Sequence, residues 1–211
     1  MALGLGNGEF TPFVKYNAKS GRWSIRKDKK DVEVPAPTFV ADMSHIRTGW
    51  FYLRDGAAPE KIYHKSRTEK APRPDRKWTD NGKEKLCFMA GAELNLFSPK
   101  FFDGVVEFLT TSFTALGSLD ELDDAYIAGV VANPGKLPVV ECASTEPVKG
   151  DYGINYKPIF KIAGWVDAPA EFQEYWDKPV TDVVTQGAAS ANQAPAAQAQ
   201  PAQESKSASN F

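Results

Sequence analysis

Only two cysteines and two histidines occur among the 211 residues, and each scarcity removes a class of chemistry. Cys87 and Cys142 sit singly in apolar, strand-like runs, LCF and VVECA. Two thiols so placed make no disulfide framework and read as small buried hydrophobes. His45 and His64 share no ligand spacing with either cysteine, which argues against a zinc site. No apolar run approaches the ~18–20 residues that a membrane helix needs. The opening stretch MALGLGNGEF has neither the basic nor the long apolar region of a secretion signal, so a soluble, cytoplasmic protein is expected. Gly4, Gly6 and Gly8 follow no strand and open no helix, so they form no dinucleotide loop, and no Walker-type signature occurs. Nothing marks a nucleophile of the Ser-His-Asp or Cys-His kind. Asp120, Glu121, Asp123 and Asp124 are crowded together, with Asp120 and Asp124 at i, i+4 spacing, but no further ligand group accompanies them. They read as the solvated face of a helix. The expectation is a protein without catalytic residues, metal or cofactor.

What the chain does have is an uneven division of charge. The formal net charge is −2, yet Pro12 to Phe88 carries 18 Lys and Arg against 10 Asp and Glu. Met89 to Phe211 carries 7 basic and 16 acidic residues. The basic part also holds ten of the 25 aromatic residues, among them Trp23, Trp50 and Trp78 of the five tryptophans. Cations neutralise phosphate and flat rings stack on unpaired bases, so this mixture suits a nucleic-acid-binding face. An acidic remainder repels polyanions and confines such contact to one side.

The order of elements points to a mainly β domain. Residues 1–11 read as a flexible arm. Two short strands follow, with Ala18 to Gly21 as the turn between them; apolar and polar residues alternate from Trp23 to Arg26. Two more strand-like runs lie between Thr38 and Gly56, ending in an Asp55-Gly56 turn. Residues 57–82 form a long basic loop broken by Pro59, Pro72 and Pro74, enclosing a short strand at Lys61 to His64. Residues 84–100 read as a long central strand bent at Gly91. Leu116, Leu119, Leu122, Tyr126 and Ile127 recur at helical spacing and predict one helix from about Ser112 to Ala128. Residues 138–167 predict a closing hairpin that turns around Lys149 to Gly153.

This order suits an OB-like five-stranded barrel with one helix and long loops, spanning residues 12–183; a β-sandwich with an appended helix is the competing architecture. The stretch 167–182 reads either as an amphipathic segment packing on the barrel or as an acidic segment that competes for the basic groove. Residues 184–211 are almost wholly Ala, Gln, Ser, Pro and Asn. Such a composition offers too little apolar area to offset its ordering entropy and predicts a disordered tail.

Three clusters make up the candidate nucleic-acid site. The first is Lys15, Tyr16, Arg22, Trp23 and Arg26, with Lys19 beside them. The second is Arg47, Trp50, Tyr52 and Arg54, where the residues from 50 to 54 alternate onto one strand face. The third is Arg73, Arg76, Lys77 and Trp78, in the basic loop. Tyr152 and Tyr156 are secondary candidates. Each Trp also has a plain structural role open to it as a core residue; Trp78, beside Lys77 in a polar Pro-rich loop, is the least suited to one.

A β-rich basic-aromatic domain, the linker QGAASANQAPAAQAQPAQ and a terminal Ser209-Asn210-Phe211 together set a layout. That layout resembles the single-stranded-DNA-binding proteins of bacteria and their phages. In those, an OB domain is followed by a Gln/Pro/Ala/Gly-rich linker and a tip ending in Phe. The tip differs here, since ESKSASNF has only Glu204 as an acid where the family's tip is acidic. The resemblance implies sequence-tolerant binding of single-stranded DNA in phage replication or recombination, in a bacterial host's cytoplasm. It also implies docking of replication or recombination proteins through Phe211, and leaves room for a homo-oligomer. The alternative is a structural or assembly protein, such as a virion component, whose basic half meets an acidic partner protein.

Overall fold

In the computed structural model, residues 12–28, 30–54, 57–150 and 153–176 are described. The predicted N-terminal arm, the Asp55-Gly56 turn, Tyr152 and the tail with Phe211 lie outside them. Twelve strands are present among the described residues: β1 Phe13–Asn17, β2 Arg22–Lys27, β3 Lys30–Val34, β4 Thr38–Ala41, β5 Arg47–Tyr52, β6 Glu60–Tyr63, β7 Lys77–Asp80, β8 Lys83–Leu86, β9 Met89–Ser98, β10 Gly104–Thr110, β11 Lys136–Gly150 and β12 Gly153–Asp167. Three helices accompany them: α1 Pro99–Phe102, α2 Phe113–Val130 and α3 Gln173–Trp176.

Ten of the strands form one sheet in the order β12-β11-β4-β9-β10-β1-β2-β3, with β5 on β9 and β6 on β5; β7 and β8 form a separate ribbon. The prediction of five strands is therefore corrected to ten in a single curled, half-barrel sheet. Alternation marks where strands lie but not which strands pair: the predicted short strand at Lys61 to His64 is found as β6, β7 lies unmarked in the polar loop, and the predicted strand 84–100 is split at Cys87 and Phe88 into β8 and β9. Only β1 and β10 run parallel.

β9 organises the sheet. Along one edge it pairs with β10 from Ala92 to Ser98. Along the other it pairs first with β5, from Met89 to Glu93, and then with β4 at Leu96 and Phe97. Gly91 and Gly49 face each other where β5 crosses. A Cβ on Gly91 would lie 2.5 Å from the Phe51 ring, and one on Gly49 would lie 2.2 Å from the Ile62 carbonyl oxygen. Glycine is required at both positions by this close approach.

The curl brings distant strands together. The Tyr156 N–H donates to the Ala18 carbonyl at 2.6 Å, and the Tyr16 hydroxyl donates to the Tyr156 carbonyl at 2.9 Å. Inside the curl, Val14, Trp23, Ile25, Phe39, Leu94, Leu96, Val106, Phe108, Val140 and Cys142 form the core, closed by Leu119 and Leu122 of α2. The predicted helix is thus found, two residues longer at its C-terminus; Leu119 and Leu122 of its apolar stripe enter the core, Leu116 and Tyr126 pack against it, and Ile127 is left exposed. α2 is fastened to β12 by Tyr126 stacking on Trp165 at 5.8 Å and by Lys157 bonded to Glu121 at 2.5 Å. No helix among the described residues is long and apolar enough to cross a membrane.

The opposite face of the sheet is covered by the chain's last described turn. Phe172 is wholly buried against Phe97, Val105 and Leu137. Trp176 stacks on Phe172 at 6.2 Å, lies 4.7 Å from the His45 ring and donates its indole N–H to Asp42 at 2.6 Å. Of the two readings of this segment, its described part takes the packing one. Replacing Phe172 with Ala should lower unfolding free energy by about 3–5 kcal/mol, as buried Phe truncations do. Urea denaturation followed by circular dichroism checks this; a loss below about 1 kcal/mol would show that the segment rests on the sheet without stabilising it.

Candidate nucleic-acid interface

The candidate surface is built on the β5–β6 hairpin, whose two faces do different work. One face is tied to the sheet by buried charge. Glu93, in the middle of β9, is 1 % exposed and lies opposite Arg47 in register. Arg47 donates to one Glu93 oxygen, Lys61 Nζ lies 2.5 Å from the other, and the Tyr63 hydroxyl donates to the same carboxylate at 3.0 Å. Lys61 also reaches Glu107 on β10 at 2.9 Å, and the Arg47 guanidinium lies 4.6 Å from the Tyr63 ring centre. Burial, reinforced by the Glu93 charge, pushes the Tyr63 hydroxyl far above its ordinary value and holds Glu107 above the usual carboxylate range. Arg47, expected as a phosphate contact, is thereby engaged by the buried Glu93, although its own side chain stays 38 % exposed. A carboxylate at this depth requires cations beside it.

The other face carries Trp50 and Tyr52, as alternation along β5 dictates. The Trp50 indole N–H donates to the Ala71 carbonyl at 2.8 Å, which draws residues 64–73 across the hairpin. Arg73 lies over the Trp50 ring at 5.1 Å and is fixed there by donating Nε to the Phe88 carbonyl at 2.8 Å. Tyr52 has Arg54 at 5.2 Å and Arg76 at 5.1 Å over its ring, and both guanidinium groups reach Glu60 at 2.9 Å. Sequence clusters two and three, more than twenty residues apart at Trp50 and Arg73, therefore meet on one surface.

Beside them stands the β7–β8 ribbon, anchored by the Cys87 N–H donating to the Arg76 carbonyl at 2.8 Å. Trp78 on β7 is 48 % exposed, with Lys85 of β8 at 5.6 Å. Lys77, on the same strand, pairs with Glu84 at 3.3 Å. Between ribbon and sheet lies an open cleft of ≈ 630 Å³, lined by Tyr52, Leu53, Arg73, Trp78, Glu84, Lys85 and Met89 among others.

The first cluster is dispersed. Trp23 is 3 % exposed at the centre of the core, 5.0 Å from Phe108, with its indole N–H directed to Cys142 Sγ at 3.2 Å. It is corrected from a stacking platform to a core residue. The alternation of Trp23 and Ile25 inward against Arg22 and Arg26 outward is the signal for this. Tyr16 packs on Trp23, and burial pushes its hydroxyl well above the ordinary range; it too faces inward. Lys15 and Arg22 pair with Asp31 at 3.8 Å and Glu33 at 2.9 Å on the outer surface, and Arg26 is exposed nearby. The first cluster thus reaches the second only through β1, β10 and β9 of the sheet. Tyr156 is half-buried, where β12 meets the β1–β2 turn.

Leu53, Lys85 and Met89 were not among the predicted site residues, because their spacing carries no pattern until the ribbon folds beside β5. Glu93 had a legible signal, a charge inside the apolar run AGAELNLF that demands a buried partner. Among the described residues, no three or more His, Cys, Asp or Glu side chains are grouped to hold a metal ion. Asp120 is raised by burial and by the neighbouring Asp123, Asp124 and Glu121 charges, while Asp123 accepts two hydrogen bonds from Arg67.

His64 supports the same surface. It lies edge-on to Trp50 at 5.8 Å, and its Nδ1 accepts the Ala71 N–H at 3.2 Å. Burial and the nearby Lys70 charge lower its pKa. The unfolded chain therefore takes up this proton at a higher pH than the folded one, and folding stability is lost as pH falls from the ordinary histidine value through the lowered one. Wild type should lose stability relative to His64→Gln between pH 7 and pH 5, measured by urea midpoints; a constant difference across that range would contradict the burial of the neutral ring. No protein-family model, no curated protein and no solved structure matches this chain.

Proposed function

We propose that this protein binds single-stranded DNA with little regard to sequence, acting without catalysis in replication or recombination. The observation that carries the reading is the convergence of two distant basic-aromatic clusters beside an open cleft. Arg54, Arg73 and Arg76 lie over Trp50 and Tyr52, while Trp78 and Lys85 stand across from them. Guanidinium and ammonium groups supply phosphate contacts, and the exposed ring supplies a stacking face. Several of these cations are paired with carboxylates, as Arg76 with Glu60 and Lys77 with Glu84. Exposed pairs of this kind are worth only about 0–1 kcal/mol, so phosphates can replace the carboxylates at small cost.

In this reading the curled sheet is an OB-type barrel enlarged at its edges, with the β5–β6 hairpin and the β7–β8 ribbon added at the binding side. Lys15, Arg22 and Arg26, on the outer face of β1 and β2, stand apart from the cleft and are not needed for the reading.

Titration of intrinsic tryptophan fluorescence with a short oligo-dT strand tests the reading. Quenching should be strong at low salt and should weaken as salt rises. Engagement of about four cations gives a slope of log affinity against log salt of about −3. No quenching and no retained DNA at low salt would sink it and would favour an acidic protein as the partner of the basic half.

A further inference from the structure

The rings of the candidate surface fall into two sets. Trp50 has Arg73 over its ring, its indole N–H on Ala71 and His64 against its edge. Tyr52 has two guanidinium groups over its ring and Phe88 at 5.8 Å. A base reaching either ring would have to expel a guanidinium already seated there, and Arg73 is held by the Phe88 carbonyl as well. Trp78 has Lys85 over its ring, no guanidinium seated on it among the described residues, and is half exposed. It opens on a cleft shared with two further large apolar side chains left in solvent, Leu53 at 47 % and Met89 at 50 % exposure. These three come from β7, from the residue after β5 and from the start of β9, so the fold gathers exposed apolar surface that single exposed side chains would scatter.

Resting on the single-strand reading, we infer that this cleft receives one unstacked nucleobase against Trp78, and that Trp50 and Tyr52 serve as supports presenting Arg54, Arg73 and Arg76 to phosphates. The cleft volume of ≈ 630 Å³ is within the ~300–1,000 Å³ typical of small-molecule sites. Its walls suit a flat, largely apolar body, with the Met89 thioether and the indole able to contact a π-face. Its cations, Arg73 and Lys85, suit an anionic group attached to that body, which would displace Asp80 from Lys85, where it sits at 2.6 Å, and stand clear of Glu84, the carboxylate in the lining. A nucleobase on its sugar-phosphate has this form. Stacking and phosphate binding are then separable, residue by residue.

The test compares oligo-dT with an abasic strand of equal length, at several salt concentrations, for wild type, Trp78→Ala and Arg76→Gln. Wild type should prefer oligo-dT. Trp78→Ala should weaken oligo-dT binding roughly 5- to 150-fold, the range of about 1–3 kcal/mol for one stacked base. It should leave abasic-strand affinity and the salt slope unchanged. Arg76→Gln should weaken both strands alike and reduce the salt slope by about 0.7. If Trp78→Ala does not fold by circular dichroism, Trp78→Leu keeps the bulk and removes the π-face, and the same loss is expected of it. Wild-type preference for oligo-dT that survives both Trp78 variants would overturn the cleft assignment while leaving single-strand binding intact. Wild type that binds neither strand at low salt would overturn the underlying reading itself.

Discussion

Glu93 is a carboxylate placed where water does not reach, and much of the candidate surface follows from how its charge is met. Arg47, Lys61 and Tyr63 all come from the β5–β6 hairpin, and all three converge on it. Removing one partner of such a buried pair typically costs ~3–5 kcal/mol, because the remaining charge is left without compensation. The hairpin is therefore fixed on β9 in one register. A slip of one residue would carry Arg47 to the far face and bring Trp50 inward. Because that register is fixed, Trp50 and Tyr52 face outward from the charged layer, and residues 64–76 can fold across them.

The rest of the molecule is arranged around this fixed point. β9 carries the hairpin on its first half and β4 on its second, so one strand joins the core of the curled sheet to the candidate surface. The core is closed by α2 on one side, and the turn ending in Trp176 covers the sheet on the other. Cation-over-ring contacts link the hairpin to the following segment, each worth about 0.5–1 kcal/mol when exposed. These are weak beside the buried ion pairs. A strongly bonded layer thus supports a more weakly bonded one.

Much of the fold was legible locally. The helix, the first hairpin with its turn at Ala18 to Gly21 and the long closing hairpin follow from period and turn chemistry, and all three are found. The number of strands was not legible, since β7 and β8 together contain one Trp and one Leu among charged residues and show no apolar face before the ribbon docks. Nor was the pairing of β1 with β10, because a parallel contact between strands ninety-odd residues apart leaves no local trace. In the candidate site, Trp50, Tyr52, Arg54, Arg73, Arg76 and Trp78 come together as a group. Trp23 and Arg47 do not join them, since composition counts a ring or a cation without saying which side of a strand it faces. For Trp23, strict use of the alternation it shares with Ile25 gives the buried side.

The most direct measurement is the indole N–H region of a ¹⁵N-labelled sample, where the five tryptophans give separate signals, recorded as oligo-dT is added. The account predicts that the Trp78 signal moves most and that of Trp23, sealed in the core, stays in place. Movement confined to Trp165 and Trp176 with Trp78 unchanged, or no movement at all at low salt, would contradict it.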